Sequence, residues 1–497
     1  MAGKRCIIKN GRIAPGLAMA GLLFLALLII LCLRPGLPDA AGEKLEQASR
    51  GLTAYQTTLR LDDEAHTLAI SQQAGFRNDT ENDLEQIVVR LWLNAYENEE
   101  SSPAALEEIY DSCYPDGFSS GFMTLYDVMW NGARAEYAWL DAAKTALSIS
   151  IPALKPGETG ELFIRCVANI PHCAHRIGYT ESGYQLGNLL PVIAMPDENG
   201  WDTREYSPIG DPFVSAAANY DLTVYLPEGY IPACSAPLEQ GKDGAWRGKI
   251  LCARDIALCA SRDYILVKEQ KGNTAVYSYG PSQASARRAL QYAGQALDTF
   301  SALYGAYPWP ALTVCSVDFP FGGMEYSGLC MIGENYYQEA MADSMELVIA
   351  HETAHQWFYS LVGSDQFHHP WQDEGICEYA TLRYVQKRYG QGSYETLKFF
   401  RVDAPMQENI PGSLTPGSPI DYFPSYTDYS AVVYGRGAAF FLALDEMLEK
   451  GADDFLRSYA DEFSFDFASR QEFELFLNQY AGMDLTPLVV DYLDTAH

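Results

Sequence analysis

MELVIAHETAHQWFYSLVG, residues 345–363, decides how this sequence is interpreted. Its centre holds His351 and His355, with Glu352 following the first histidine. Residues four apart share one face of a helix, so both imidazoles can reach a single metal ion while Glu352 reaches a water molecule at that ion. Two histidines satisfied within a protein core are the alternative interpretation, and a third ligand would make that alternative improbable.

The apolar residues around the motif predict the helix that such a metal site needs. This helix should begin near Asp343, with Glu346 three residues later as in a capping box, and should end at Gly363.

Glu374 is the predicted third ligand. Eighteen residues separate it from His355, and it lies at the start of a second helical pattern that ends near Gly390. Taken alone, Glu374 would be an ordinary acid at the start of a helix. Two imidazoles and one carboxylate leave zinc a fourth position for water, which is typical of catalytic rather than structural sites. We therefore predict one Zn²⁺ per chain, held by His351, His355 and Glu374, with Glu352 as the catalytic base.

The periodicity of the chain changes at Gly280. From about Tyr55 to Tyr277 the signal is mostly alternating, as in the run Tyr220, Leu222, Val224 and Leu226, which indicates antiparallel β structure. After Gly280, apolar residues recur every three or four positions and predict a helix: Ala286, Leu290, Ala293, Leu297 and Phe300. Helices should dominate from there to the end of the chain, interrupted by strands near 312–317 and 329–332.

The amino terminus predicts a membrane anchor. Residues 13–33 form a run of 21 residues without a charge, long enough to cross a bilayer as a helix. Positive residues before this run favour a cytoplasmic amino terminus and place the remainder of the chain outside the cytoplasm. A cleaved signal peptide is the competing interpretation. We expect a single-pass protein of the cell membrane that contacts the lipid bilayer through this helix.

Composition excludes one broad class of function. The chain has 34 Lys and Arg against 65 Asp and Glu, a formal net charge of −31, so a general nucleic-acid-binding role is excluded by repulsion from phosphates. Nine of the eleven cysteines lie beyond the anchor region, scattered and without the spacing of a zinc-thiolate site. We expect most of them to be buried thiols, with one or two disulfides as the alternative.

Three motifs together resemble the aminopeptidase N family of gluzincin metallopeptidases, the M1 peptidase family. The first is His-Glu-x-x-His followed after eighteen residues by a Glu within Trp-x-x-Glu-Gly. Residues 322–326, GGMEY, resemble the Gly-x-Met-Glu-Asn exopeptidase motif, and residues 429–437, YSAVVYGRG, resemble the segment that supplies the catalytic tyrosine, here Tyr434. Two departures stand out, because Tyr326 and Asp373 occupy positions where the family usually has Asn.

The resemblance implies a multidomain α+β fold and an activity. A saddle-like β-rich domain (49–280) would precede a thermolysin-like, mainly helical catalytic domain (281–497), after a stub (1–12), the anchor (13–33) and a linker (34–48). The implied activity is that of a membrane-anchored zinc aminopeptidase acting on peptides with a free amino-terminal amine. Tyr434 would stabilise the oxyanion. The implied substrate-binding residues are Gly322, Gly323, Met324 and Glu325.

Two other functions stay open at this point. A zinc endopeptidase shares the His-Glu-x-x-His motif, although the GGMEY segment argues against it. A tethered, non-catalytic peptide-binding module is the second alternative, and the retention of Glu352 beside both histidines argues against that.

Several further residues have weaker predictions. Glu378 is expected to be a solvated helix acid rather than a partner of a metal-bound imidazole. His368 and His369 are expected in a loop, Gln185 is a guess for the cleft wall, and Tyr429 is the nearest rival of Tyr434.

Overall fold

The computed structural model describes residues 40–496 apart from 198–199, 408–409 and 411–412. It is a multidomain α+β structure with a β-rich amino-terminal part and a mainly helical carboxy-terminal part. The predicted stub and anchor lie outside the described residues, so both stay predictions. Among the helices that the structure describes, none is both long enough and apolar enough to cross a bilayer.

The β-rich part is built from strands that match the alternating sequence signal. The described strands of this part are β1 (Ala54–Asp62), β2 (Thr67–Arg77), β3 (Leu84–Arg90), β4 (Phe122–Trp130), β5 (Ala133–Arg134), β6 (Tyr137–Trp139), β7 (Ala146–Leu154), β8 (Thr159–Asn169), β9 (Ile177–Thr180), β10 (Gly183–Gly187), β11 (Val192–Ile193), β12 (Pro196–Asp197), β13 (Gly200–Trp201), β14 (Ala218–Tyr225), β15 (Ile231–Cys234), β16 (Glu239–Gln240), β17 (Trp246–Ala253), β18 (Ala257–Ser261), β19 (Ile265–Lys271) and β20 (Thr274–Gly280).

The largest sheet has the strand order β16-β17-β14-β1-β2-β8-β4-β5. Its pairs are antiparallel except for β1 with β14, which run parallel. In β14 the side chains of Tyr220, Leu222 and Val224 are buried and alternate with less buried neighbours, so the period-two prediction for this strand is confirmed. Two smaller sheets, β15-β18-β10-β9 and β11-β3-β7-β6, complete most of the β-rich part.

A further sheet joins the two parts of the chain. It contains β19 and β20 together with β21 (Ala311–Val317), β22 (Gly323–Tyr326) and β23 (Leu329–Gly333). The strand order is β19-β20-β21-β23-β22. Strand β20 pairs in parallel with β21, so strands on both sides of the predicted boundary at 280/281 belong to one sheet. Strand β22 pairs with β23 and lies at the edge of the sheet.

The described α-helices are α1 (Ala40–Ala48), α2 (Tyr110–Cys113), α3 (Gln283–Tyr304), α4 (Ala342–Ala354), α5 (Glu374–Tyr389), α6 (Gln391–Lys398), α7 (Tyr426–Tyr429), α8 (Gly437–Met447), α9 (Gly451–Glu462), α10 (Arg470–Ala481) and α11 (Thr486–Val489). Helix α1 covers the end of the predicted linker. Helix α3 begins after Ser282, whose hydroxyl accepts a hydrogen bond from the amide of Ser285. The apolar face predicted from Ala286 to Phe300 is buried, which confirms that helix.

The central helix begins where predicted, near Asp343, but the predicted capping box and end are wrong. Helix α4 begins at Ala342, so Asp343 lies within its first turn and forms no capping box. Glu346 instead accepts hydrogen bonds from Tyr384 and Arg388, and so ties α4 to α5. The α-helix ends at Ala354, and the segment that follows, Gln356–Leu361, is kinked, with non-helical backbone at Phe358 and Tyr359.

The cysteine prediction is confirmed for the residues that the structure describes. All nine cysteines in this part of the chain are buried and free, so the one or two disulfides that we considered do not form among them. Burial raises the pKa of Cys166 and Cys234 to about 12, which keeps these thiols protonated and inert.

Candidate active site

His351 and His355 lie one turn apart on α4, and their Nε2 atoms are 3.1 Å from each other. Glu374, the first residue of α5, places Oε2 at 3.0 Å from Nε2 of His351 and at 3.3 Å from Nε2 of His355. Ligand bonds of about 2.0–2.2 Å to a tetrahedral zinc ion separate the ligand atoms by roughly 3.3 Å. The three predicted ligands therefore converge at a spacing that fits one zinc ion.

Two carboxylates fix the orientation of the imidazoles. Nδ1 of His355 lies 2.6 Å from Oδ1 of Asp373, and Nδ1 of His351 lies 3.4 Å from Oε2 of Glu378. When each Nδ1 carries the proton toward its carboxylate, both Nε2 lone pairs face Oε2 of Glu374. Three acceptors directed at one point require a cation, which is the second observation that fits a metal at this position.

The electrostatics of the metal-free cluster agree with this interpretation. Burial alone would lower the pKa of His351, but the hydrogen bonds to Glu374 and Glu378 raise it to about 9. Burial opposes ionisation of Glu374, yet the two histidines hold the pKa of Glu374 well below its ordinary value. Without a metal, protons on the imidazoles therefore supply the positive charge that the cluster needs.

The expectation that Glu378 is a solvated acid is wrong. Glu378 lies one turn after Glu374 on α5, and this face of the helix packs against α4, so the Glu378 side chain is 2% exposed. Sequence reasoning also missed the contact of Asp373, which it noted only as a replacement for Asn. The adjacency of Asp373 to Glu374 was the available signal.

Glu352 lies beside the convergent atoms. Its carboxylate is buried, and Oε2 has no hydrogen-bond partner among the described residues. Burial is the main cause that raises the pKa of Glu352 to about 7. A carboxylate with a pKa near neutrality, next to a metal site, is suited to accept and return a proton.

The GGMEY segment forms the cleft wall opposite α4. Gly323 is the first residue of the edge strand β22, where an added Cβ would lie 2.3 Å from Oε1 of Glu352, so a larger residue would displace the Glu352 side chain. Gly322 lies against Val348 of α4, because a Cβ added at Gly322 would be 3.3 Å from a methyl carbon of Val348. Met324 is buried, and its sulfur accepts a hydrogen bond from Nε of Arg176.

Glu325 is buried beside the predicted base. One oxygen each of Glu325 and Glu352 and a ring nitrogen of His355 lie within 4.8 Å of one another. Oε1 of Glu325 has no hydrogen-bond partner among the described residues, and burial holds the pKa of Glu325 well above its ordinary value. Among the described residues, one oxygen of this buried carboxyl group is therefore left for a donor that a ligand could supply.

Tyr326, which follows Glu325, is fully buried, and its backbone carbonyl accepts a hydrogen bond from Gln356. Its hydroxyl lies against Gly187 of β10, where an added Cβ would approach the oxygen to 1.9 Å. Side chains alternate along a strand, so Glu325 and Tyr326 point to opposite faces of β22. Tyr326 packs against the β-rich part rather than lining the cleft.

Tyr434 lies in a π-helical segment, Ser430–Arg436, that brings its hydroxyl to the metal cluster. The hydroxyl donates a hydrogen bond to Oε1 of Glu374 at 2.6 Å, and the ring stacks on His351 with centroids 5.4 Å apart. The rival Tyr429 also lines the cleft, but its ring is fully buried against Tyr434 and Gly210. Of the two tyrosines, Tyr434 is the one whose hydroxyl contacts a predicted ligand.

These residues line a cavity of about 300 Å³. Sequence reasoning missed three of its charged residues, Arg176 and Asp211 from the β-rich part and Arg401 from the helical part. A larger cavity of about 450 Å³ lies elsewhere, between α1 and α9, and the metal-ligating clusters of the described residues are not part of it.

The weaker guesses have different outcomes. Gln185 is buried away from the cleft, where its amide donates hydrogen bonds to the carbonyls of Cys173 and Asp318. His368 and His369 lie in the connection before α5 and do not line the cleft, as expected for loop residues.

The fold and the site together resemble those of a metallopeptidase, and comparison with known proteins shows which proteins the chain is similar to. Residues 288–492 match the Peptidase family M1 domain. The chain is 24% identical to Aminopeptidase M1-A of Oryza sativa subsp. japonica over 344 residues, which cover 63% of this chain and 38% of that protein. It is 25% identical to human Aminopeptidase N over 323 residues, 57% of this chain and 33% of that protein.

A solved structure of an M1 zinc metallopeptidase mutant from Deinococcus radiodurans shares the fold, with a TM-score of 0.60, 17% identity, and coverage of 90% of this chain and 95% of that one. Residues 288–492 therefore match the M1 peptidase domain, and the chain is similar to the aminopeptidase N-like M1 metallopeptidases, as the motifs indicated. It spans less than two fifths of the length of the rice and human relatives named above.

Proposed function

We propose that this protein is a zinc-dependent aminopeptidase that hydrolyses the first peptide bond of peptides with a free amino terminus. The observation that carries the proposal is the position of Glu325, a buried carboxyl group beside Glu352 and His355 whose Oε1 has no hydrogen-bond partner among the described residues. A peptide ammonium group would supply that partner. Fixing the amine there leaves only the first peptide bond within reach of the predicted base.

His351, His355 and Glu374 would hold one Zn²⁺, with Asp373 and Glu378 orienting the two imidazoles. When bound, zinc supplies Lewis acidity, which acidifies a water molecule and polarises the scissile carbonyl. The structurally similar protein from Deinococcus radiodurans is a zinc metallopeptidase, which supports zinc for this site.

The chain's own residues would carry the proton transfers and the charge stabilisation. Glu352 would accept the proton of the attacking water and later deliver it to the leaving amine. The Tyr434 hydroxyl would donate a hydrogen bond to the developing oxyanion, a contact typically worth about 3 kcal/mol. The Tyr434 hydroxyl already donates a hydrogen bond to Glu374 of the metal cluster. To stabilise the oxyanion it would donate to the substrate oxygen instead of Glu374.

The edge position of β22 supports an extended substrate. Strand β22 pairs with β23 on one side, and its other side lies at the end of the sheet. A peptide can add to such an edge through backbone hydrogen bonds. This alignment would bring the peptide amine toward Glu325, in agreement with exopeptidase rather than endopeptidase activity.

The experiment that tests the proposed chemistry measures zinc content beside turnover. We expect Glu352→Ala to keep zinc and to lose nearly all hydrolysis of an aminoacyl reporter, because the water lacks a proton acceptor. His355→Ala should lose both zinc and hydrolysis. Substantial turnover by Glu352→Ala would contradict the proposed mechanism.

Membrane anchoring is a separate part of the proposal and rests on the sequence of residues 13–33. We propose a single-pass protein of the cell membrane whose catalytic domain lies outside the cytoplasm. The full chain should resist carbonate extraction from membranes, whereas the chain without residues 1–34 should be released and active. Recovery of a mature protein that starts near Ala40 would show a cleaved signal peptide instead.

A further inference from the structure

The cleft contains two arginines with different surroundings. Arg176 is buried, and its Nη2 lies 2.6 Å from Oδ1 of Asp211, so its charge is compensated in place. The side chain of Arg401 is 44% exposed, and the ion pair that it makes is long, with 3.5 Å between Nη1 and Oε2 of Glu378. Arg401 is therefore the lining cation with charge available to a ligand.

The contact with Glu378 orients Arg401 without consuming its hydrogen-bonding capacity. A guanidinium group has five N–H donors in a planar fork, and Nη1 alone faces Glu378 in this pair. The same oxygen of Glu378, Oε2, also lies 3.4 Å from Nδ1 of His351. The remaining N–H groups of Arg401 can bind a carboxylate with two oxygens, the ligand that matches this fork best.

The position of Arg401 relative to Glu325 suggests which carboxylate it meets. Glu325 adjoins His355, whereas Arg401 is connected to His351 through Glu378. The proposed amine anchor therefore lies beside His355, whereas the arginine is linked through Glu378 to the other histidine, His351. A substrate held by its amine at Glu325 would pass the metal centre before it reached Arg401.

The size of the cleft determines which substrates have their carboxylate inside it. A volume of about 300 Å³ is at the lower end of the range for ligand-binding pockets. Two or three residues fill such a space, and the carboxy-terminal carboxylate of so short a peptide lies inside the cleft.

We propose that Arg401 binds the free carboxylate of di- and tripeptides and so directs the enzyme to short peptides. This inference rests on the proposed aminopeptidase function and names its substrate class. Arg401 acts here as a specificity-determining residue, because it meets the end of the substrate and not the bond that is cleaved.

The test compares substrates that differ in the carboxylate alone. The zinc-loaded protein would be assayed with Ala-Ala and Ala-Ala-Ala, each as free acid and as carboxy-terminal amide, and with an alanyl reporter that lacks a carboxylate. For whichever of the two peptides is cleaved faster as the free acid, we expect kcat/KM of the acid to exceed that of its amide by about 10- to 100-fold. This factor corresponds to the free energy of one hydrogen bond to a charged group. In Arg401→Gln this preference should disappear, while kcat/KM for the amides and the reporter changes less than about threefold.

A matched control is Arg247→Gln. Arg247 is 46% exposed and pairs with Asp243 on the β-rich part, away from the cleft, so its replacement should leave the preference intact. Arg401→Lys should keep part of the preference, because it retains the charge and loses the fork.

Three results would overturn the inference: equal kcat/KM for acid and amide in the unaltered protein, a preference that persists in Arg401→Gln, or an equal fall for all substrates together with loss of zinc. The last result would mean that Arg401 acts through Glu378 and His351. If the unaltered protein does not cleave the reporter, the proposed function fails by itself. Calorimetric binding of Ala-Ala and its amide to the zinc-loaded Glu352→Ala variant then still decides whether the carboxylate is recognised.

Discussion

Replacing Gly323 by alanine should disable the enzyme without touching a ligand. An added Cβ would lie 2.3 Å from Oε1 of Glu352 and 2.4 Å from its Cδ, whereas an ordinary contact needs about 3.5 Å. The Glu352 carboxylate must therefore move by about 1 Å. Because a misplacement of this size costs roughly 100-fold in rate, we expect kcat of Gly323→Ala to fall about 100-fold with zinc content unchanged.

The assay is hydrolysis of an alanyl reporter, with zinc measured on the same samples and the melting temperature recorded. Gly392→Ala is the matched control, because Gly392 lies in the exposed helix α6 and an added Cβ there meets nothing within 4 Å. This control should keep full activity and be as stable as the unaltered protein or slightly more stable. Unaltered kcat in Gly323→Ala would refute the placement of Glu352 as the base.

Two further predictions concern the tyrosine and the metal. Tyr434→Phe should keep zinc and lower kcat by about 10²- to 10³-fold, because the oxyanion loses its hydrogen bond; an unchanged kcat would transfer the role to Tyr429. Zinc binding to the metal-free protein should release at least one proton at pH 7.5, because the metal displaces a proton from His351, whose metal-free pKa is about 9. Zinc affinity should therefore rise with pH up to that pKa, by about tenfold per unit for each proton displaced. Binding enthalpies that do not depend on the ionisation enthalpy of the buffer would contradict this.

The metal cluster was predictable because its geometry is mostly local. Two histidines four residues apart share a helix face in any helix, and the start of the next helix supplied Glu374 at a recognisable spacing. The burial of Glu378 was not predictable in the same way. Whether the face of α5 one turn beyond Glu374 meets solvent or α4 depends on how the two helices pack, which periodicity alone does not determine.

Gly363 shows a different reason for a wrong prediction. It resembles a helix-terminating glycine, but an added Cβ there would lie 2.3 Å from the guanidinium carbon of Arg254, a buried residue more than 100 positions earlier. Arg254 donates hydrogen bonds to the carbonyls of Tyr359 and Ser215, so it links the kinked segment after α4 to the β-rich part. A constraint of this kind depends on the tertiary fold and leaves no local pattern.

The charged residues that the β-rich part contributes to the cleft were missed for the same reason. Arg176 and Asp211 are remote in sequence from α4, and neither belongs to a motif that the sequence analysis singled out. Their pairing across 35 residues depends on how the connections between strands are arranged, which the alternation of apolar residues does not encode.

The proposed function depends most directly on where the protein cuts a peptide. The measurement is mass spectrometry of a ten-residue peptide digested by the zinc-loaded protein, in parallel with the same peptide acetylated at its amino terminus. We predict a ladder of single-residue losses from the free amino terminus, no cleavage of the acetylated peptide, and a large loss of kcat/KM in Glu325→Ala. Internal fragments from the acetylated peptide would contradict it and identify an endopeptidase.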